Sequence, residues 1–437
     1  MASNDGNDQK DTGWSHPLTV ETASKRQQLA ATTAGTLTLP PPPGDDSVLP
    51  FELITEILCR LPVKFLMTLI CVCKSWNSLI SSDRKFARKH LGMSRMNPKL
   101  ISSFKTRWNS PISCVAYPVR SFFNNGNGTI IHGTHINFPF NSEDSSIYTK
   151  IEGSCDGILC LSQKKHSSEK PLMIIGNFIP VVLWNPSTRK YNLLPYLATP
   201  NLNDRYWFCE RYGLLISIYG FGYDHLSDNY KVVAVFIYKS HYRDAICETQ
   251  VKVHTLGTDS WRLIQDFPSL ITRTTYPRSG KFVSGKINWL VHSGGDWSIV
   301  SLDLGTESYQ QILPPDYGDE RLDFTLGISR DCLCIVARKE LQNVSDIWLM
   351  KEYGKGESWT KLVSVSYMAY SNYYPYINQP LHISEDNQVL LDYANVIKWE
   401  LVVYDPINST FKIPDIENYK NLRQSEIYIE SLISPCS

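Results

Sequence analysis

The sequence predicts an α+β multidomain protein: a small N-terminal helical segment followed by an all-β, propeller-like domain. Apolar residues recur at helical spacing only within residues 47–91. From about residue 100, short apolar and β-branched runs alternate with turn-forming clusters, as in strands. The 437 residues include 11 Trp, 24 Tyr and 16 Phe, a composition that favours strands and large packed rings. We therefore expect a helical domain over 47–91 and a β-domain over 92–437.

Residues 1–46 carry few large apolar side chains and contain the run Pro40-Pro41-Pro42-Pro43-Gly44 near their end. Such a segment cannot bury enough apolar surface to offset the entropy lost on ordering. We therefore expect a disordered tail over these residues.

The helical segment opens with one apolar stripe, formed by Leu53, Ile54, Ile57, Leu58 and Leu61. Pro62 is expected to end this first helix, because it lacks a backbone donor and clashes with the preceding turn. Further helices are predicted over about 64–70 and 73–80, and Asp83 is predicted to cap a last one. A segment of this size is small for an independent core, so it needs a partner surface or a neighbouring domain.

A weak internal repeat predicts that the β-region is a ring of similar sheets. Five units share a strand, a polar turn, an aromatic residue and an apolar exit; they lie at 181–195, 251–268, 299–315, 347–363 and 401–414. Their aromatic residues are 70, 48, 50 and 52 residues apart, and propeller blades have periods of about 40–50 residues. Each unit is interpreted as the outer hairpin of a four-stranded blade, and the apolar run before it as the inner hairpin.

A propeller closes when a strand from one terminus completes a blade begun at the other. The segment EIYIESLIS at 426–434 is rich in β-forming residues and lies near the end of the chain. We expect it to pair in the blade that contains GILCL at 157–161.

Motifs for catalysis or metal binding are weak. The stretch GKFVSGK at 280–286 matches a phosphate-binding loop up to the eighth position, where Ile287 replaces the required Ser or Thr. A hairpin turn is therefore predicted there. His132 and His135 are too few for a closed zinc site, and the chain has no CxxC pair. We expect no metal and no cofactor.

The charge balance argues against a nucleic-acid or membrane partner, since 43 basic and 43 acidic residues cancel. An alternative interpretation of the basic helical segment is a helix-turn-helix that presents Lys74, Ser75, Asn77 and Ser78 to bases. Its first helix is too apolar for that alternative, and a protein-docking surface fits better. No signal peptide or membrane span is expected, so the 11 cysteines are expected to be reduced thiols in the cytoplasm and/or nucleus.

Both parts of the sequence resemble a known family. The helical segment resembles an F-box, the adaptor-binding motif of SCF-type ubiquitin ligases, through Leu49-Pro50, Ile57-Leu58, Leu61-Pro62-Val63, Val72-Cys73-Lys74, Trp76 and Leu79-Ile80. The β-region resembles the F-box-associated domain of plant F-box proteins, often labelled F-box/kelch-repeat, through GSCDGILCL at 153–161, LWNPSTRKYNLLP at 183–195, YGFGYDHLSDNYKVV at 219–233, GKFVSGKINWL at 280–290 and YIESLIS at 428–434.

Two departures from the family pattern stand out. Thr68, Leu69 and Ile70 occupy positions where relatives often carry an Arg-Phe-Arg-like triplet, which removes positive charge from the second helix. Kelch repeats carry a double glycine in each blade, whereas only Gly294-Gly295 is present here. A propeller is still expected, but not of the true kelch type.

The resemblance implies a non-catalytic substrate receptor of a cullin-RING ubiquitin ligase, which binds a Skp-type adaptor and captures a target protein for ubiquitination. The implied adaptor-binding residues are Leu49, Pro50, Ile57, Leu58, Leu61, Pro62 and Val63. Core packing is an open alternative for Ile57 and Leu58. A propeller scaffold that binds partners without ubiquitin transfer is the alternative function.

Two irregular, aromatic-rich stretches at 203–212 and 367–380 are candidates for target binding, because protein interfaces favour Tyr, Trp and Arg. The candidate residues are Arg205, Tyr206, Trp207, Tyr370, Tyr373 and Tyr374. Packing of these aromatic residues between blades is the open alternative.

Overall fold

The helical head, Phe51–Ser94, consists of four helices: α1 (Phe51–Leu58), α2 (Val63–Leu69), α3 (Lys74–Ser82) and α4 (Arg84–Ser94). The computed structural model describes residues 49–104, 113–124, 129–139, 147–165, 180–197, 213–240, 246–268, 278–293, 296–317, 322–339, 342, 344–366, 376–394, 399–417 and 422–436. The expected tail over 1–46 and the glycine pair at 294–295 lie outside these residues.

The helix boundaries follow local chemistry, but α1 ends earlier than predicted. Asp83 caps α4 as predicted, because its side chain accepts hydrogen bonds from the backbone amides of Lys85 at 2.8 Å and Phe86 at 2.9 Å. The prediction that α1 runs up to Pro62 is wrong, since the helix ends at Leu58. Proline disfavours the helical conformation in the residue before it, and Pro62 instead directly precedes α2.

The described residues of the β-region form six four-stranded antiparallel sheets, so the propeller expected from the repeat is confirmed and has six blades. The strands of blade 1 are β1 (Lys99–Phe104), β2 (Ser113–Pro118), β3 (Thr134–Ile136) and β24 (Leu422–Tyr428), with a short helix α5 (Arg120–Phe123) between β2 and β3. Those of blade 2 are β4 (Ile147–Cys155), β5 (Ile158–Lys165), β6 (Val181–Trp184) and β7 (Tyr191–Leu193). Those of blade 3 are β8 (Gly213–Asp224), β9 (Asn229–Ser240), β10 (Ile246–Thr255) and β11 (Arg262–Leu263).

The remaining blades repeat the same order along the chain. Blade 4 contains β12 (Lys281–Val283), β13 (Lys286–Ser293), β14 (Asp296–Asp303) and β15 (Tyr309–Ile312). Blade 5 contains β16 (Leu322–Ser329), β17 (Cys332–Lys339), β18 (Val344–Met350) and β19 (Trp359–Ser366). Blade 6 contains β20 (Tyr376–Ile383), β21 (Val389–Ala394), β22 (Trp399–Asp405) and β23 (Thr410–Lys412). The five repeat units coincide with the third and fourth strands of blades 2 to 6.

The repeated aromatic residues connect neighbouring blades. The indole nitrogen of Trp261 in blade 3 donates to the carbonyl oxygen of Pro195 in blade 2 at 2.9 Å. In the same way, Trp359 of blade 5 donates to Leu313, which follows the outer strand of blade 4, at 3.0 Å. These bonds satisfy the polar tips of large packed rings, which explains why the aromatic position recurs along the sequence.

The ring closes through the C-terminal strand, but in a different blade from the one expected. β24 pairs with β1 in antiparallel register from Lys99↔Tyr428 to Phe104↔Leu422, so it completes blade 1. The prediction that this segment pairs in the blade that contains GILCL at 157–161 is therefore wrong. That blade already has four strands of its own, β4 to β7, whereas blade 1 has only β1 to β3 without β24.

Tight turns define one face of the ring, called here the turn face. The first two strands of blades 2, 4 and 5 are joined by two-residue turns in which both residues have positive φ, namely Asp156-Gly157, Ser284-Gly285 and Arg330-Asp331. The predicted hairpin at 280–286 is thereby confirmed. The strand ends remote from these turns define the opposite face.

Charged residues on the innermost strands link blades around the ring axis. Glu152 on β4 is buried and accepts from Ser162 at 2.5 Å, from Ser279 and from Lys150 at 2.8 Å. Lys281 of blade 4 reaches Gln379 of blade 6 at 3.1 Å. Because a buried carboxylate requires such partners, this network fixes how the blades meet.

We expect Glu152→Ala to lower the free energy of unfolding by about 3 kcal/mol, because it leaves Lys150 without its carboxylate partner and two hydroxyl groups without their acceptor. The control is Glu352→Ala, which removes the exposed Glu352–Lys355 pair and should change stability by less than about 0.5 kcal/mol. Chemical denaturation measures both variants. Equal losses would show that the network around Glu152 contributes no more than a surface ion pair.

Candidate functional site

The apolar stripe of α1 is wider than the core of the head requires. Ile54 and Leu58, one helical turn apart, point into the core, and Leu58 is only 2% exposed. Leu53 and Ile57 are also one turn apart, but they are about half exposed. The stripe therefore divides into a buried half that stabilises the head and an exposed half available to a partner.

Exposed apolar side chains are concentrated in the first part of the head. The large apolar residues of α1, α2 and the following turn that remain 46–58% exposed are Phe51, Leu53, Ile57, Phe65 and Val72, called here the head patch. Leu49, two residues before the start of α1 in the sequence, is equally exposed. A surface of this kind on a small helical unit is typical of a protein interaction site.

The structure divides the sequence-predicted adaptor residues into two groups. Leu58 and Val63 are buried in the core of the head, and Leu61 is half-buried against it. Leu49, Pro50, Ile57 and Pro62 are exposed. The core alternative left open for Leu58 is therefore what the structure shows, whereas Ile57 lies on the surface.

A buried histidine, His90, stabilises the core behind the head patch by linking α4 to the turn between α1 and α2. His90 of α4 lies 2.9 Å from the carbonyl oxygen of Leu61, in the turn between α1 and α2. Burial lowers the pKa of His90, so the neutral ring donates this hydrogen bond near pH 7. His90 thus connects α4 to the turn that separates the two helices of the head patch.

Basic side chains are exposed next to the head patch, namely Arg60, Lys64 and Lys74. Glu56 is paired with Lys89 of α4, and this hydrogen bond lowers the pKa of Glu56. Lys74, Ser75, Asn77 and Ser78, the residues of the helix-turn-helix alternative, are exposed as well, and Asn77 accepts a hydrogen bond from Ser81 within the helix.

Four residues of the head patch, Phe51, Leu53, Phe65 and Val72, are not among the adaptor residues predicted from the sequence. A signal for the division of α1 was present, because Leu53/Ile57 and Ile54/Leu58 form two separate pairs at helical spacing. Which pair faces the core is decided by the packing of α2 to α4.

The target-binding candidates Arg205, Tyr206, Trp207, Tyr370, Tyr373 and Tyr374 lie outside the described residues. The described residues contain no group of three or more His, Cys, Asp or Glu placed to hold a metal ion. His132 instead lies 2.7 Å from Glu417. Within the described part of the chain, no helix is long and apolar enough to cross a membrane.

A helical head with an exposed apolar surface, carried on a six-bladed propeller, defines a class of modular binding proteins. Comparison with known families identifies both parts. The family model of the F-box associated beta propeller domain matches residues 113–435, and that of the F-box domain matches residues 47–88. The chain belongs to the family of F-box proteins that carry the F-box associated β-propeller domain.

Plant F-box proteins are similar to this one over most of the chain. An F-box/kelch-repeat protein of Arabidopsis thaliana is 29% identical over 392 residues, which cover 89% of this chain and 96% of that protein. The F-box protein CPR1 of Arabidopsis thaliana is 26% identical over 306 residues, covering 66% of this chain and 68% of that protein. The sequence resemblance to plant F-box proteins is thereby confirmed.

Adjacent residues of α1 give a direct test of the divided stripe. We expect Leu58→Ala to lower the free energy of unfolding of the head by about 3 kcal/mol, because it leaves a cavity in the core. Ile57→Ala should change it by less than about 0.5 kcal/mol, because that side chain is largely in solvent. Thermal unfolding of the two variants measures the difference, and similar losses would contradict the assignment of Ile57 to the surface.

Proposed function

We propose that this protein is the substrate-receptor subunit of an SCF-type cullin-RING ubiquitin ligase. The observation that carries the proposal is the head patch, an exposed apolar surface on the helices of an F-box domain. The F-box implies a Skp-type adaptor as partner in general, and the adaptor would connect the receptor to the cullin. The cytoplasm and/or nucleus is the proposed location.

The protein acts by positioning and supplies no catalytic residue. Adaptor and target bind to the same chain, so the target is held at a high local concentration near the ubiquitin-conjugating enzyme. Holding two reactants in one complex converts an encounter between separate molecules into a step within the complex, which raises its rate.

The proposed adaptor surface consists of the head patch together with the exposed Pro62. Leu49 and Pro50, which are also exposed, remain adaptor residues proposed from the family resemblance. Leu58, Leu61 and Val63 support the adaptor surface from within the head. Thr68 is exposed, whereas Leu69 and Ile70 pack partly against the core. The absence of the charged triplet thus removes charge from this part of the surface, and binding relies more on apolar contacts.

We expect the double substitution Leu53→Asp and Ile57→Asp to weaken adaptor binding at least about 100-fold, since each apolar anchor of an interface contributes about 2 kcal/mol. Calorimetry with a purified plant Skp-type adaptor measures the affinity. Leu263→Asp, at an equally exposed position on β11, is the matched control and should bind normally. Unchanged binding of the double variant would exclude this surface as the adaptor site.

The proposed target-binding residues are those of the two aromatic stretches. They lie in the sequence between β7 and β8 and between β19 and β20, and the flanking strand ends at Leu193, Gly213, Ser366 and Tyr376 belong to the face opposite the tight turns. A target held near that face would be remote from the turns, which supports separate surfaces for adaptor and target.

We expect Trp207→Glu and Tyr374→Glu to reduce capture of the target while adaptor affinity stays unchanged, because a charge opposes burial of an aromatic anchor. Affinity purification from plant extract, with quantitative mass spectrometry of wild type and variants, measures both. Copurification of targets without adaptor and cullin would favour the alternative of a scaffold without ubiquitin transfer. An unchanged set of captured proteins would contradict the assignment of these residues.

A further inference from the structure

The chain beyond β24 contributes to the core of the head. Leu432 is only 9% exposed and packs with the core residues of α1 to α4. Ile433 packs both against this core and against the cluster shared by blades 2 and 3. Residues 429–434, called here the joint segment, therefore lie between head and propeller and belong to both.

Polar contacts fix the joint segment on the turn face of blade 2. The hydroxyl of Ser431, which is fully buried, donates to the carbonyl oxygen of Asp156 at 2.7 Å. The side-chain amide of Asn185 donates to the carbonyl oxygens of Ser431 at 3.0 Å and Ile433 at 2.8 Å. Each of these bonds joins the joint segment to a tight turn of the blade, so its path is set by the propeller.

A close approach at Gly157 shows how tightly the joint segment is held. Gly157 has φ of +84°, and a Cβ atom there would lie 2.4 Å from the Ser431 hydroxyl and 2.5 Å from the carbonyl oxygen of Ile429. Only glycine satisfies both the backbone conformation and this distance.

Two arginines contact the same face, Arg88 in helix α4 and Arg95 directly after it. Arg88 donates to the hydroxyl of Tyr223 at 2.6 Å, pairs with Asp228 and lies 5.3 Å from the centre of the Tyr223 ring. Arg95 lies 3.3 Å from Asp156, whose other carboxylate oxygen accepts from Tyr230 at 3.1 Å. The head is thus attached at the first turns of blades 2 and 3 as well as through the joint segment.

From these contacts we propose that the joint segment completes the head, so that the head patch forms only on a closed propeller and faces a fixed direction relative to the ring. Leu432 can fill the head core only if the chain leaves β24 beside blade 2, and β24 has that position only when it is paired with β1. The head, with a single small core, lacks the apolar volume to be stable alone.

The consequence for binding rests on the proposed function. The head precedes the joint segment in the sequence and is therefore synthesised before it, so a chain that has not closed its ring lacks part of the head core. Adaptor binding is then restricted to complete receptors, and the head patch and the propeller move as one body.

The test uses full-length protein with Leu432→Asp, which places a charge in the head core. We expect amide protection in α1 to α4 to fall about tenfold or more, and trypsin to cleave after Arg95 between α4 and β1, while protection in blades 3 to 6 is unchanged. Adaptor affinity should fall in parallel. The matched control is Ile407→Asp, the same kind of change on the turn of blade 6, where the side chain is 82% exposed.

A charge exchange tests the arginine contacts without altering the core. Arg88→Glu should accelerate trypsin cleavage after Arg95, and the double variant with Asp228→Arg should slow it again. If Leu432→Asp unfolds the whole chain, Arg88→Glu and the double variant with Asp228→Arg provide the test instead. Normal protection and slow cleavage in all variants would overturn the proposal. Since protection and cleavage are measured without a partner, failure of wild type to bind the adaptor would refute the proposed function alone.

Discussion

The pairing of β24 with β1 is the constraint on which the rest of the structure depends. It joins strands more than 300 residues apart in the sequence. The entropic cost of closing a loop grows only logarithmically with loop length, by about 0.6 kcal/mol per doubling, so this separation adds little to the cost. The pairing leaves no open edge on β1 and buries Tyr428, and the hydroxyl groups of Ser102 and Ser425 meet across the two strands at 3.0 Å. It also directs the following residues onto the turn face, where the head is attached.

Closure alone would not keep six similar sheets in order around the ring, and two sets of contacts do so at different radii. Near the periphery, aromatic side chains donate to carbonyl groups of the preceding blade, as Trp261 and Trp359 do. Near the axis, Lys281 and Glu152 link strands of different blades. The outer contacts recur at a regular period, whereas the inner ones are particular to each blade, so the former are visible in the sequence and the latter are not.

The strand ends on the two faces of the ring are proposed to have different functions. Short turns on one face pack closely with α4 and the joint segment, which requires special backbone conformations such as that of Gly157. The opposite strand ends flank the sequence stretches proposed to bind the target. In the proposed function, such an architecture would separate the adaptor surface from the target surface while one framework holds both in position.

Local pattern by itself determined the helices of the head, the cap at Asp83, the five outer hairpins and the hairpin at 280–286, because each depends on residues close together in the chain. The F-box and the propeller domain were also evident from motifs. Three features were decided only by tertiary structure. The stripe of α1 contains two apolar pairs at helical spacing, Leu53/Ile57 and Ile54/Leu58. The packing of α2 to α4 places Ile54 and Leu58 in the core. The strand β24 could in principle pair with an open edge of any blade. It completes blade 1, because that blade has only three other strands, β1 to β3. The entry of Leu432 into the head core has no sequence signal, because it depends on where a closed ring brings the end of the chain.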